Sequence, residues 1–325
     1  MAAKYQHYTP RLHLKKFVGA QPKGMIWAYD KDQLRMAPSN ILNTGGQKHF
    51  YSVRNSDGEL DHRVDDLLTK VEDRAVAPYE KLLRRERLSA QERADFATFL
   101  ATMYTRSPGM IRANAETKAK MMQAFLRMTM GSRQQFEAQM DRMEADGAVP
   151  PGSDRDNLWT FLNDKEAYTL QVPYQFGLTA LGASDRIQEL LFERHWHRVH
   201  AAEGYFITSD QAVTLWHPPR ISPFGRGGFI AADAEVTFPL SPEVCLLITD
   251  RRLAAEDLAA GGDHVRNVNG YRAYEAERFV WSHVKDALLL DLLRDNQRSG
   301  SRISVSGESD MAAVEVVRRT SQRES

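Results

Sequence analysis

Apolar and polar positions follow a helical period through the middle of the chain and a strand period in the stretches around it. Val64, Leu67, Leu68, Val71, Ala75, Tyr79, Leu82 and Leu83 recur at three- and four-residue steps, which predicts a helix kinked at Pro78. Ser89 and Glu92 form a capping-box pattern ahead of Phe96, Phe99, Leu100 and Met103, and this second helix is expected to weaken at Ser107-Pro108. In the methionine-rich segment 110–143, Met121, Met122, Phe125 and Leu126 line one side and Phe136, Met140 and Met143 another, the pattern of core or helix-packing surface. Residues 147–152 read as a loop. Further helices are expected over 165–181, interrupted near Pro173, and over 185–194.

The flanking stretches read differently. Thr9 suits an N-cap and Pro10 a first helical position, with Leu14, Phe17 and Val18 on one face of the short helix that would follow. Strands are expected at 25–29 and 50–53, separated by a turn-rich segment with Pro38, Gly45 and Gly46. Residues 195–202 and 205–208 read as a hairpin about Glu203-Gly204. Strands rich in β-branched and aromatic residues follow at 213–216, 229–231, 235–240 and 244–249, then helices at 270–283 and 284–294. The pattern predicts an α+β fold: one antiparallel or mixed sheet built from N- and C-terminal parts, with a large helical insertion over about 60–190. The domain is expected to span 1–297. Arginine, serine and glutamate dominate 298–325, which reads as a disordered, dispensable tail.

Composition narrows the classes. The 325 residues are 42% hydrophobic and 26% charged, an ordinary folded composition, and the formal net charge is +0. Bulk attraction to nucleic acid or anionic lipid is therefore not implied, and any such binding would rest on a local patch. One cysteine excludes an internal disulfide; Cys245, in the run Val244-Cys245-Leu246-Leu247-Ile248, is expected to be a buried, inert thiol. The N-terminus has no signal-peptide h-region, and no apolar run approaches the ~20 residues of a membrane span. A cytoplasmic protein with no membrane partner is expected.

Several landmarks sit in a recognisable order: Gln6 to Phe17 (QHYTPRLHLKKF), IWAYDK from Ile26, HFYS from His49, YTRSP from Tyr104, FITSDQAV from Phe206, FPLSP from Phe238 and NVN from Asn267. Over nearly the whole chain except the tail, this pattern resembles the bacterial domain-of-unknown-function family 4238. After the TSD, where that family usually has Asn-Pro, this chain has Gln211-Ala212. The resemblance implies a single family-wide fold and no assigned activity.

The residues themselves suggest chemistry. A helix beginning at Pro10 would offer free N–H groups near His7, Tyr8 and Thr9 to an anion, and Arg11 would add a forked cation. His7 titrates near neutrality and is the candidate acid/base. The first 29 residues hold five lysines and arginines and no acidic side chain, with Tyr5, Tyr8, Phe17 and Trp27 interleaved, a modest basic-aromatic patch. Asp210, at a strand end in Thr208-Ser209-Asp210, is the second catalytic candidate, as base or as the group orienting His7; a turn closing the strand is its structural alternative. Arg106, Ser209 and Tyr8 join Arg11 as candidate substrate contacts. His7, Arg11 and Asp210 are expected to be spatial neighbours, with Arg11 and Asp210 close enough to pair. Glu72 reads as a solvated helix position, with an acid partner for an arginine as the alternative. His195 and His197 have H-x-H spacing but no further ligand set, so no metal is expected, and no cofactor. Phe224-Gly225-Arg226-Gly227-Gly228 lacks the lysine and Ser/Thr of a P-loop. Two functions are expected: an enzyme acting on nucleic acid or another phosphate-bearing ligand, nuclease-like, in a bacterial defence setting; or a non-catalytic ligand-binding sensor or adaptor. No oligomeric state is implied.

Overall fold

The computed structural model describes residues 5–20, 23–54, 57–164, 168–218, 228–297 and 315–318. The chain opens with β1 (Tyr5–His7), α1 (Arg11–Leu14) and a 3-10 turn (Lys15–Phe17), then β2 (Met25–Asp30), β3 (Arg35–Asn40), β4 (Gly46–Lys48), β5 (Val53–Arg54) and β6 (Leu60–Asp61). Helices follow: α2 (Arg63–Leu83), α3 (Ala90–Thr105), α4 (Pro108–Met130), α5 (Arg133–Ala145) and α6 (Arg155–Asn163). After β7 (Tyr168–Gln171) and a 3-10 stretch (Tyr174–Ala183) come α7 (Ser184–Glu193), β8 (His195–Ala201), β9 (Thr208–Ser209) and β10 (Thr214–Trp216). The last elements are β11 (Glu235–Pro239), β12 (Val244–Thr249), β13 (Asp257–Ala260), α8 (Gly262–Glu275), β14 (Phe279–Ser282), α9 (Leu288–Asp295) and β15 (Glu315–Arg318). The chain divides into two compact units: Met1–Ile111 with Leu178–Arg302, and Arg112–Gly177 with Ile303–Ser325.

In the first unit the mixed α+β class stands as expected, but the single sheet is corrected to two principal sheets. A five-stranded sheet has the order β10-β11-β12-β8-β13, antiparallel except where β13 lies parallel to β8. A four-stranded antiparallel sheet, β3-β2-β14-β9, joins N-terminal and C-terminal strands. Two ribbons, β1-β4 and β5-β6, complete the unit. The expected hairpin at 195–208 does not form, and burial explains why. Phe206 packs with Cys245 and Val265, whereas its neighbour Ile207 packs with Tyr29 and Val280. Two successive apolar side chains thus enter different cores and carry the strand from one sheet to the other. The Phe206 amide donates to Pro242 O (2.7 Å) and that of Ile207 to Asn269 Oδ1 (3.1 Å).

The strongly periodic helices lie where the apolar spacing places them. Pro78 sits inside α2, and Ser89 and Glu92 cap α3 reciprocally. Tyr79 and Leu82 of α2, Phe96, Phe99 and Met103 of α3 and Leu191 of α7 pack on Val236, Phe238, Leu246 and Ile248 of the five-stranded sheet. Each such side chain, fully buried, contributes ~1.5–3 kcal/mol. Cys245 is buried, and burial pushes its thiol up to about 11. Shorter elements depart from expectation. Residues 276–283 contain β14 rather than the end of a helix, 228–230 form a 3-10 turn in place of the strand expected at 229–231, and the described part of 165–181 contains β7 and part of a 3-10 stretch. β14 and β7 each find a partner strand, and that pairing outweighs weak local preference.

In the second unit, Ser132 and Gln135 cap α5, Arg155 of α6 binds Glu137, Asp141 and Glu144, and the Arg133 guanidinium lies against Phe136 and Trp159. β15 pairs antiparallel with β7. The rest of 298–325 lies outside the described residues, as does 219–227 with most of the glycine-rich loop.

Candidate functional site

The β1-β4 ribbon brings the first candidates to the surface. Its register sets Tyr5 opposite Lys48, Gln6 opposite Gln47 and His7 opposite Gly46. Strand alternation turns Gln6 inward, where its Oε1 accepts from the Tyr51 amide (2.7 Å) and its Nε2 donates to Ser52 Oγ (3.2 Å). Tyr5 and His7, half-buried, share the other face, their rings edge-to-face at 5.2 Å. Gly46 is required there: a Cβ would stand 2.7 Å from Tyr5 Cε1 and 2.5 Å from Gln6 O. His7 Nε2 lies 3.1 Å from Ile41 O. A carbonyl oxygen only accepts, so Nε2 carries the proton and the neutral ring keeps its lone pair on Nδ1. That nitrogen has no hydrogen-bond partner among the described residues. Burial, joined by the charges of Arg11 and Arg106, holds His7 below the usual histidine range against the opposing pull of its Ile41 bond and Glu72.

Arg11 is exposed and makes no ion pair among the described residues. The expected helix-terminus anion site is not built. α1 is one turn long, Pro10 occupies its N-cap position, and the Thr9 amide is already donated to Gly45 O (2.9 Å). Arg106 ends α3 with only 1% exposure; its Nη1 donates to Glu72 Oε1 (2.8 Å), and Tyr51 OH donates to its carbonyl (3.3 Å). Glu72 is therefore an ion-pair partner rather than a solvated helix position.

Asp210 is 3% exposed and wholly engaged by backbone. Its Oδ1 accepts from the Glu277 amide (2.8 Å), and its Oδ2 from those of Arg278 (2.7 Å) and Phe279 (2.8 Å). The expected Arg11–Asp210 bond is absent among the described residues: Arg11 lies exposed, whereas the Asp210 carboxylate is buried against these amides. Burial pushes Asp210 up to about 6 although the three donors pull the other way, so it is ionised at neutral pH. Ser209 is buried, its Oγ accepting from the Gln211 amide (3.2 Å). Tyr8 is buried beside Phe50, and burial together with the nearby Asp210 charge holds its phenol well above the usual range. Lys31 donates to the carbonyls of Ala273, Tyr274 and Ala276 at the end of α8, and Asp30 pairs with Arg278. The YDK and TSD motifs therefore meet at one place, the α8–β14 turn, and hold it by hydrogen bonds.

One buried histidine escaped the sequence reading. His13 is fully buried, with Nδ1 2.9 Å from Tyr79 OH and Nε2 2.6 Å from Thr208 Oγ1. Tyr79 OH donates to Leu240 O (2.8 Å), so it accepts from His13 Nδ1–H, and Thr208 donates to Nε2. Burial lowers His13 to about 3. Its signal was its place between Leu12 and Leu14 in the docking turn. Arg272, also fully buried, donates to the carbonyls of Ala212 and Gln211 and to Thr237 Oγ1 (3.1 Å); burial lowers it to about 10.

His197 Nδ1 donates to Ala255 O (2.7 Å), while His195 is exposed and His200 Nε2 lies 2.7 Å from Asp257 Oδ1. Among the described residues no group of three or more His, Cys, Asp or Glu side chains is placed to hold a metal ion, and no helix is long and apolar enough to cross a membrane. The model of the family described as Protein of unknown function (DUF4238) matches residues 5–286. No curated protein and no solved structure matches the chain.

Proposed function

The chain belongs to the DUF4238 family, and we propose that it is an enzyme acting on a phosphate-bearing substrate, nuclease-like, with His7 as the general base and Arg11 as the anion contact. One observation carries this reading: the His7 ring is oriented by the Nε2–H bond to Ile41 O, its Nδ1 lone pair is unclaimed among the described residues, and the Arg11 charge stands near it. A lowered histidine is neutral at pH 7 and ready to accept a proton. In the proposed step Nδ1 takes the proton of the attacking hydroxyl as the new P–O bond forms. The leaving oxygen departs with the bonding pair and is protonated from solvent. Arg106 is neutralised by its pair with Glu72 and takes no phosphate contact in this scheme. Asp210 and Ser209, bound to backbone amides, take structural roles in this scheme.

The test is hydrolysis of bis(p-nitrophenyl) phosphate and of an end-labelled oligonucleotide by the purified full chain. His7→Gln is expected to abolish turnover, and Arg11→Ala to raise KM. Absence of turnover in the wild-type protein, or full activity in His7→Gln, refutes the reading. A second reading, a non-catalytic adaptor, is favoured by one observation. Met121, Met122, Phe125 and Met128 of α4 are exposed, an unusual density of large apolar side chains on one helix.

A further inference from the structure

The face that carries His7 carries more than the proposed chemistry uses. Residues directly opposite in an antiparallel pair project to the same side, so Lys48 stands beside Tyr5 on the outer face of the β1-β4 ribbon. Lys48 is exposed and makes no ion pair among the described residues. Tyr5 is half-buried. Its ring reaches across Gly46, where no Cβ blocks it, and rests edge-on against His7. Beyond His7 comes the exposed Arg11, followed by exposed Lys15. The surface thus runs cation, aromatic ring, imidazole, cation over one short ribbon and the turn after it, while the other face of β1 is spent on Gln6 and the interior.

That order suits one chemistry. Single-stranded nucleic acid presents alternating π-faces and phosphates, and its binding sites combine an aromatic platform with cations that track the backbone. A duplex hides its base faces and offers a ring such as Tyr5 nothing to stack upon. The formal net charge of +0 leaves no bulk attraction to any polyanion, so binding would depend on this local row.

We infer that the outer face of the β1-β4 ribbon binds single-stranded nucleic acid, with Tyr5 stacking on a base and Lys48 and Arg11 contacting the flanking phosphates. The inference rests on the reading above in placing a phosphate beside His7, but it concerns recognition and is measured without turnover. The probes are fluorescein-labelled dT12, rU12 and a 12-base-pair duplex, followed by fluorescence anisotropy with the full chain in two salt concentrations. Both single strands are expected to bind more tightly than the duplex, and more weakly at higher salt. Tyr5→Leu keeps apolar bulk and removes the π-face, and is expected to weaken binding about tenfold, within the range of one lost base stack. Lys48→Gln is expected to weaken binding and flatten the salt dependence by about one phosphate contact. Circular dichroism confirms that both variants are folded. Duplex preference, no single-strand binding, or unchanged affinity in folded Tyr5→Leu overturns the inference. Turnover lost in His7→Gln with binding indifferent to Tyr5 and Lys48 sinks this inference and leaves the enzyme reading standing; Tyr5-dependent binding with no turnover does the reverse.

Discussion

Replacing Asp210 by alanine should destabilise the protein by about 2–6 kcal/mol at pH 7, and the structure supplies the reasons. Three backbone amides donate to this carboxylate at 2.7–2.8 Å. Removing the carboxylate leaves three buried amides without an acceptor, at a desolvation cost of ~1–3 kcal/mol each. Against this stands relief from burying a charge. Asp210 is raised from 3.8 to about 6 with its hydrogen bonds already included, so burial outweighs them for the ionised form, by ~3 kcal/mol at ~1.4 kcal/mol per pKa unit. The orphaned amides exceed that relief over most of their range. The assay is urea unfolding followed by tryptophan fluorescence, since Trp281 is buried in β14, two residues beyond the last donor. A loss below about 1 kcal/mol would refute the reasoning, because the amides would then have found water at little cost. Stability retained with activity abolished would instead restore Asp210 to the catalytic role that the sequence suggested.

His13 should make the protein acid-sensitive. Its folded value, about 3, lies below the unfolded 6.5, so the unfolded chain binds the extra proton and stability falls as pH drops from about 6.5 towards 3, by up to ~5 kcal/mol. Asp210 has the opposite sign: its folded value exceeds the unfolded one, so its contribution is greatest below about 4 and is lost as pH rises through about 6. Comparing urea midpoints between pH 7 and 4 for wild type and His13→Gln isolates the first effect; parallel profiles would show that His13 does not titrate as described. Arg11→Ala should change stability by no more than about 0.5 kcal/mol, since the side chain is exposed and in no ion pair among the described residues, and a thermal midpoint several degrees lower would contradict this. Gly19→Ala should cost about 1–3 kcal/mol, because its Cβ would fall 1.9 Å from the His283 carbonyl oxygen; an unchanged melting curve would show that the backbone at Gly19 can move aside.

Local sequence determined the parts whose causes are local. The apolar spacing of α2 and the Ser89/Glu92 reciprocal cap of α3 act within one or two helical turns, so they could be read from neighbouring residues alone. The burial of Cys245 could be read the same way, from the apolar run around it. The motifs also marked the segments that matter, since HYTPR, YDK, YTRSP and TSD all supply buried or site-lining groups. Tertiary structure decided what those groups do. Asp210 resembles a strand-end catalytic acid until the amides of residues 277–279 are brought to it across more than sixty positions. Glu72 resembles a solvated residue until Arg106 arrives. His13 becomes a neutral link only because Tyr79 and Thr208 meet it from 66 and 195 positions away. The division into two sheets likewise follows from Phe206 and Ile207 entering different cores. A hydrogen-bonding side chain takes its role from the partners that the folded structure gives it, and for these residues those partners are distant in sequence. Local pattern could therefore name the residues, and only the folded chain could assign their roles.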